Sequence, residues 1–436
     1  MPAFSLDPVQ TAWCAELRAM AAERLRPLAE KGEPGRVNRP LVAELGQLGL
    51  LRRLFTSGAL DLCLMRESLA YACTEAETAL ALQGLGACPV HAYGTPAQRE
   101  RWLPAVSEGR AVAAFALSEP GAGSDAAALA LRAERAGAPG DGPDAGAPGD
   151  GGRRADASRG ESRAEVSVGG PRADVPGVEA PVGVEPEGGV LGAEPDGSSR
   201  WRLSGEKCWI SNAPEADFYT VFARTTPGAG ARGVTAFLVP ADRPGLTGTA
   251  LDMLSPHPIG ALGFDDVPVT ADDVLGEPDR GFRVAMGTLN LFRPSVGAFA
   301  VGMAQAALDA TLAHTAQRDA FGGKLKDLQT VAHRVAELAL RTDAARLMVY
   351  AAATAYDEGA PDVPKRAAMA KLLATETAQY VVDAAVQLHG ARALQRGHLL
   401  EHLYREVRAP RIYEGASEVQ RGIIAKELYA ETEAPR

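Results

Sequence analysis

Between Ala136 and Ser199 the chain contains no Phe, Tyr, Trp or Ile and a single Leu, Leu191, while glycine and proline fill more than a third of the positions. A short repeat runs through it, Gly137-Ala-Pro-Gly-Asp-Gly142 returning as Gly146-Ala-Pro-Gly-Asp-Gly151. Such a stretch cannot bury enough apolar surface to offset the entropy of ordering its backbone, so a disordered insertion is expected over about 136–199. Any folded core must therefore be assembled from the two flanks. The segment also holds twelve acidic and five basic residues, most of the formal net charge of −10. The flanks are then nearly neutral.

The flanks have three textures. Residues 1–112 read as a helical domain: Trp13, Leu17, Met20, Ala21 and Arg24 recur at helical spacing, Arg39-Pro40-Leu41 opens a second helix that Gly49 stops, and Leu60–Leu85 reads as a third. Residues 113–272 read as a central β-domain carrying the insertion, with strands at Ala216–Ala223 and Val234–Val239 bounded by Gly and Pro. Trp201–Gly205 is expected to pair with Ala126–Ala133, which makes the insertion the tip of a hairpin. Residues 273–436 return to helical periodicity, as in Phe299, Gly302, Met303 and Ala306, and then Val331, Val335 and Leu338. The expected fold is α+β and multidomain: a helical N-terminal domain, a β-sandwich or barrel-like middle and a C-terminal four-helix-type bundle.

A pI near 5.4 argues against nucleic acid or an anionic membrane as the main partner. The five cysteines are widely spaced and form no Cys-x-x-Cys pair, so neither a disulfide framework nor a zinc site is indicated. A reducing, cytoplasmic location is the expectation. No apolar run approaches the roughly 18 residues of a membrane span, and the N-terminus lacks a signal pattern.

Two segments carry polar groups in positions suited to a ligand. Ala114-Phe-Ala-Leu-Ser-Glu-Pro-Gly-Ala-Gly-Ser-Asp125 is a strand running into a Gly/Pro turn, either a plain surface turn or a loop whose backbone N–H groups and hydroxyls meet a ligand. It is neither a dinucleotide fingerprint nor a phosphate-binding loop, and Ser124 is not in a Gly-x-Ser-x-Gly elbow. In Gly205-Glu-Lys-Cys-Trp-Ile-Ser-Asn212, alternation places Trp209 and Ser211 on one face and Ile210 on the other. That face could wall a planar cofactor or simply pack over a sheet.

These segments resemble the flavin-binding signatures of the acyl-CoA dehydrogenase family. The resemblance extends through Tyr93-Gly-Thr…Gln98-Arg-Glu-Arg-Trp-Leu-Pro104, Gly263–Val269, Arg318-Asp-Ala-Phe-Gly322 and Arg411-Ile-Tyr-Glu-Gly-Ala-Ser-Glu-Val-Gln-Arg421, in the family's order. It implies bound FAD, a homotetramer built from dimers, an acyl-CoA (or acyl-carrier) thioester substrate oxidised to the trans-2-enoyl product, and an electron-transfer flavoprotein or similar acceptor. By resemblance Phe115, Leu117, Ser118, Trp209, Ile210 and Ser211 line the flavin. Arg318, Phe321, Gln329, Gln387 and Gly390 hold its pyrophosphate and adenosine part, some of them from a neighbouring subunit, and Ala416 and Glu418 fall in the cofactor group. Ser124, Asn290, Arg293 and Gly415 contact the substrate or support the base. Glu414 is the base for the α-proton.

The chain departs from the family at three points. Gly390-Ala-Arg-Ala393 stands for a glycine-richer turn, Ala416 for a threonine and Asn290 for an aspartate. Phe292 occupies a position where some branches carry their base, which leaves Glu414 for that role. No arginine lies around Ala76–Leu82 to receive a carboxylate-bearing substrate. His398-Leu-Leu-Glu-His402 matches an inverted zinc-protease motif by letter, but a third ligand is missing and no metal is expected. Flavin oxidases, monooxygenases and carrier-protein-specific dehydrogenases share the scaffold and stand as the alternative reading.

Overall fold

Asp7 opens the first helix: its carboxylate accepts from the backbone N–H of Gln10, and its own N–H donates to the Gln10 side-chain oxygen. This capping box satisfies donors that a helix start leaves free. The computed structural model describes residues 6–136 and 200–433; the insertion read from the sequence lies outside them, apart from Ala136. Helices α1 (Pro8–Met20), α2 (Arg26–Ala29), α3 (Arg39–Gln47), α4 (Leu50–Thr56), α5 (Ala59–Ala72), α6 (Thr74–Tyr93) and α7 (Pro96–Ser107) come first. Gly49 ends α3 as expected, with φ at 73°.

The stretch Leu60–Leu85 is two helices, not one. Cys73 is extended (φ −157°, ψ 99°) and separates α5 from α6. The carbonyl of Ala72, orphaned by that break, accepts from the Arg26 guanidinium, with Nε at 2.9 Å. A hydrogen-bond partner 46 residues away is what periodicity cannot register.

The strands are β1 (Ala113–Ala116), β2 (Arg132–Arg135), β3 (Arg200–Ser211), β4 (Phe218–Arg224), β5 (Val234–Pro240), β6 (Leu246–Ala250), β7 (Ile259–Thr270) and β8 (Val274–Leu275). They form one mixed sheet in the order β6-β7-β3-β2-β4-β5-β8, with β1 parallel to β4. The expected hairpin is present with a different partner. Trp201 faces Arg135 and Ser204 faces Arg132, whereas Ala126–Ala128 is a 3-10 turn. The cause is Glu119, whose carboxylate accepts from the backbone N–H of Ala130 and Leu131 and withdraws them from any ladder.

Helices α8 (Gly281–Gln317), α9 (Gln329–Asp357), α10 (Val363–His389), α11 (Leu399–Glu406) and α12 (Ser417–Glu433) follow, with a short hairpin, β9 (Asp319–Ala320) and β10 (Gly323–Lys324), between α8 and α9. By length and composition α8 is apolar enough to cross a membrane, but 72% of its most apolar window is buried and it forms the spine of the bundle. His257 and Glu406 pair at 2.6 Å, and Ser255 donates to the carbonyl of Arg405, so the loop before β7 is fastened to α11.

The seam between the first helices and the sheet positions the site. Gly86 of α6 lies so close to β1 that a Cβ there would fall 2.5 Å from the nitrogen of Ala114. Beside it, the fully buried Gln83 donates to the carbonyl of Ala111 and accepts from the N–H of Ala113, both at 2.7 Å. Replacing Gln83 with Leu strands two buried backbone groups, each worth about 1–3 kcal/mol. The expected result is a fall of several degrees in thermal midpoint; an unchanged midpoint would show that the clamp is dispensable.

Candidate functional site

The first half of the site is the open side of the sheet between β1 and β3. Lys207, fully buried, donates to the carbonyl of Leu117 at 2.9 Å and to the carboxylate of Glu119 at 2.7 Å. Burial pulls its ammonium down to about 8 against the pull of Glu119. The backbone N–H of Cys208 adds a bond to the carbonyl of Ser118. The Leu117–Glu119 turn is thereby locked to β3.

Just beyond this lock β3 slips register, between Lys207 and Ile210, and Trp209 takes a left-handed φ of 57°. The indole is turned out, 48% exposed, while Ile210 packs into the sheet core. Ser211 is half-buried, so at Trp209 and Ile210 exposure follows the alternation read from the sequence. The backbone of Ile210, not its side chain, is left for a ligand. Phe115 packs against Phe222, with ring centroids 4.9 Å apart and planes tilted by 56°; Ser118 is half-buried and Ser124 is exposed. Among the described residues no side chain hydrogen-bonds the hydroxyls of Ser118 or Ser211.

The second half is the loop Arg411–Ala416. Glu414 and Gly415 both have positive φ, 52° and 98°. For a glutamate that conformation costs about 1–3 kcal/mol unless the surroundings impose it. They do. The carbonyl of Glu414 accepts from Arg293 Nε and Gln420 Nε2, both at 3.2 Å; that of Gly415 accepts from Lys371 Nζ at 2.8 Å and Gln420 Nε2 at 2.9 Å. The φ of 98° at Gly415 is one that L side chains rarely adopt, and a Cβ there would lie 2.4 Å from the Gln420 amide and displace it from its bonds to the loop. Asn290 accepts from Arg293 Nη1 and so steadies that guanidinium.

With its backbone pinned, Glu414 carries a carboxyl whose Oε2 is buried and has no hydrogen-bond partner. Burial raises its pKa above the ordinary range, opposed by the charges of Arg66, Lys371 and Arg293. Burial brings Lys371 down to about 8. A carboxylate with free lone pairs, held rigidly in a cationic, poorly solvated setting, is suited to accepting a proton.

A third group lies apart, at the C-terminal ends of α8 and α10. There His314 stacks on His389 at 4.2 Å. Arg318 caps α8, and Phe321 sits at the tip of the β9–β10 hairpin with φ at 53° and 90% of its surface exposed. Gln329, Gln387 and Gly390 are exposed as well. The structure does not bring these residues to Glu414 within one chain. Glu418 is exposed on the first turn of α12 and pairs with Arg421; Ala416 is half-buried in the base loop. The histidine motif on α11 comes apart: His398 caps the helix and accepts from Leu400, while His402 bonds the Thr74 hydroxyl at 2.6 Å.

Sequence reasoning missed six residues that build the site: Lys207 and Glu119, Lys371 and Gln420, and the buried pair of Arg66 with Glu77. The first two stand inside the segments singled out above, Lys207 directly after a second charge, Glu206. Arg66 stands on α5, and α6 carries no arginine.

The donor set fits FAD. An outward tryptophan beside two serine hydroxyls that have no side-chain partner among the described residues suits an aromatic ring with polar edges, and nothing lies within 4 Å of where a Cβ would stand on Gly322 or Gly390. Residues 7–110, 183–267 and 279–429 match the N-terminal, middle and C-terminal domains of acyl-CoA dehydrogenases. The chain is 32% identical to a probable acyl-CoA dehydrogenase, FadE25, of Mycobacterium tuberculosis, over 81% of this chain and 76% of that one. It is 33% identical to the mitochondrial short-chain specific acyl-CoA dehydrogenase of Bos taurus, over 91% and 84%. The solved butyryl-CoA dehydrogenase from Megasphaera elsdenii superposes with a TM-score of 0.79 at 28% identity, covering 98% of this chain and 99% of that one.

Breaking a buried ion pair by removing one partner costs about 3–5 kcal/mol, because the other charge is left buried alone. Lys207→Met is therefore expected to lower the thermal midpoint and release FAD together. Arg132→Met, which removes the exposed pair with Glu134 (66% and 67% exposed), is expected to change neither. Flavin absorbance after gel filtration and a melting curve check both.

Proposed function

The chain belongs to the acyl-CoA dehydrogenase family, FAD-dependent oxidoreductases that dehydrogenate acyl-CoA thioesters, and on that premise we propose that Glu414 takes the α-proton as the thioester becomes a trans-2-enoyl-CoA. The observation that carries this reading is the Glu414 carboxyl: buried and unpartnered at Oε2, on a backbone fixed by Arg293, Lys371 and Gln420. A carboxylate that served only structure would be hydrogen-bonded, since an unsatisfied buried acceptor costs about 1–3 kcal/mol or more.

Removing a proton next to a thioester carbonyl requires a base over one face and dipoles aimed at the carbonyl oxygen. Glu414 supplies the base. The backbone N–H of the same residue is the donor proposed for the developing enolate, and a donor of that kind is worth about 3–4 kcal/mol in a dry site. The cations Arg66, Arg293 and Lys371 act on the Glu414 carboxyl and favour the ionised form that accepts the proton. When bound, FAD supplies the acceptor for the hydride leaving the β-carbon. Trp209, Ser118 and Ser211 are the side chains proposed to seat its ring, with Phe115 and Leu117 behind them. Ser124, Asn290 and Gly415 are proposed on the substrate side.

Arg318, Phe321, Gln329, Gln387 and Gly390 are proposed to reach the cofactor of a neighbouring subunit, within a homotetramer, because they lie exposed and apart from Glu414 in their own chain. An electron-transfer flavoprotein is the proposed acceptor of the electrons.

Two measurements test this. Glu414→Gln keeps size and polarity but cannot take the proton. It is expected to bind FAD normally and to slow anaerobic flavin reduction by acyl-CoA about 100- to 10,000-fold; bleaching at the wild-type rate would remove Glu414 from the mechanism. Arg318→Ala deletes an exposed cation that nothing in its own fold requires. It is expected to lose FAD and shift the assembly to smaller species on analytical ultracentrifugation, and full flavin content in an intact tetramer would contradict the proposed intersubunit role.

A further inference from the structure

Three cations act on the Glu414 carboxyl, and two of them have other work. Arg293 and Lys371 spend hydrogen bonds on the carbonyls of Glu414 and Gly415, so their first effect is on the shape of the loop. Arg66 makes no bond to the loop. It comes from α5, where Leu62, Cys63, Leu64, Met65, Leu69 and Ala70 are all buried, and is itself only 3% exposed. Its Nε pairs with the carboxylate of Glu77 on α6 (1% exposed), and its Nη1 donates to the Ser295 hydroxyl on α8 at 2.7 Å. The ring of Phe299, also on α8, lies 5.9 Å from the guanidinium.

A buried ion pair is a poor stabiliser, because the cost of desolvating both charges rivals their attraction, and apolar replacements of similar volume are often no worse. The pair in this apolar layer therefore has a reason other than stability. A salt bridge made directly to a base would occupy the lone pair that must take the proton. A cation held a short distance away favours the ionised form without blocking it. Arg66 meets that requirement: Glu77 and Ser295 each take one of its donors, and Ser295 stands two residues along α8 from Arg293, whose Nε holds the carbonyl of Glu414, so the charge of Arg66 still reaches that carboxyl.

We infer, on the reading of Glu414 as the base, that Arg66 is a positioning residue, tethered by Glu77 and Ser295 so that its charge keeps the buried carboxyl of Glu414 ionised and free to accept a proton. The charged and titratable groups around that carboxyl are Arg66 on α5, Glu77 on α6, Arg293 on α8, Lys371 on α10 and the neighbouring, partly exposed Tyr413. Glu406 on α11 acts on Tyr413 in turn. Because the base works ionised, the rate climbs as pH rises through its pKa. Removing the Arg66 charge must move that climb to higher pH.

The test is anaerobic rapid-mixing reduction of the FAD-loaded enzyme by saturating butyryl-CoA across pH. Arg66→Met with Glu77→Met exchanges the pair for apolar side chains. It is expected to move the ascending limb up by about one pH unit, about tenfold slower at low pH, with the high-pH plateau and KM retained. Arg66→Gln with Glu77→Gln keeps a hydrogen bond without charge and carries the same expectation if the first variant does not fold. Arg66→Lys restores the wild-type limb. Glu77→Gln leaves the cation in place, so the limb stays or moves to lower pH. A double variant that holds FAD and titrates like wild type overturns the inference, as does a Glu77→Gln limb displaced upward by the same amount, which marks a purely structural pair. Glu414→Gln reducing at the wild-type rate would overturn the assignment of the base, a separate result.

Discussion

A carboxylate can serve as a base inside a protein only if its backbone is held while its oxygens are left alone. The loop at Glu414 satisfies both demands. Its carbonyls, not its carboxyl, take the available donors, from Arg293 on α8, Lys371 on α10 and Gln420 on α12. Those bonds impose two consecutive positive φ angles. Three helices must be in place before the loop can exist, so the bundle has to pack before the site is complete. The remaining buried oxygen is unsatisfied within the protein, a standing cost that a substrate proton offsets.

The same division of labour recurs on the sheet. Lys207 and Glu119 form a buried pair that touches no ligand position directly, yet they fix the turn carrying Ser118 against the strand carrying Trp209 and Ser211. The bulge then turns the indole outward. In each half of the site, buried charges hold backbone and the exposed or unpartnered groups face the chemistry. Gln83 does the equivalent at the seam, with a neutral amide where β1 meets α6.

What the sequence disclosed follows from range. Helix and strand textures, the Gly49 stop and the alternation around Trp209 depend on neighbours within a few residues, and the structure agrees with them. The errors are long-range. Cys73 interrupts a helical pattern because Arg26 supplies a partner to Ala72, and β2 starts late because Glu119 has taken two backbone donors. Glu414 was legible through its resemblance to a family motif, since a lone glutamate before glycine carries little information in itself. Arg66 was not, because nothing in α5 announces that it meets Glu77 across a helix break. α6 itself carries no arginine, as read from the sequence.

The central claim is that Glu414 exchanges a proton with the substrate's α-carbon. Hydride transfer obscures that step in an ordinary turnover, so the direct measurement uses an acyl-CoA with sulfur in place of the β-carbon, which has no β-hydrogen to give up. Incubated with the FAD-loaded enzyme in heavy water and followed by proton NMR, the wild type should exchange an α-hydrogen of this analogue for deuterium, and Glu414→Gln should not. Exchange that persists in the variant, or that is absent from a wild type shown to bind the analogue, would contradict the account.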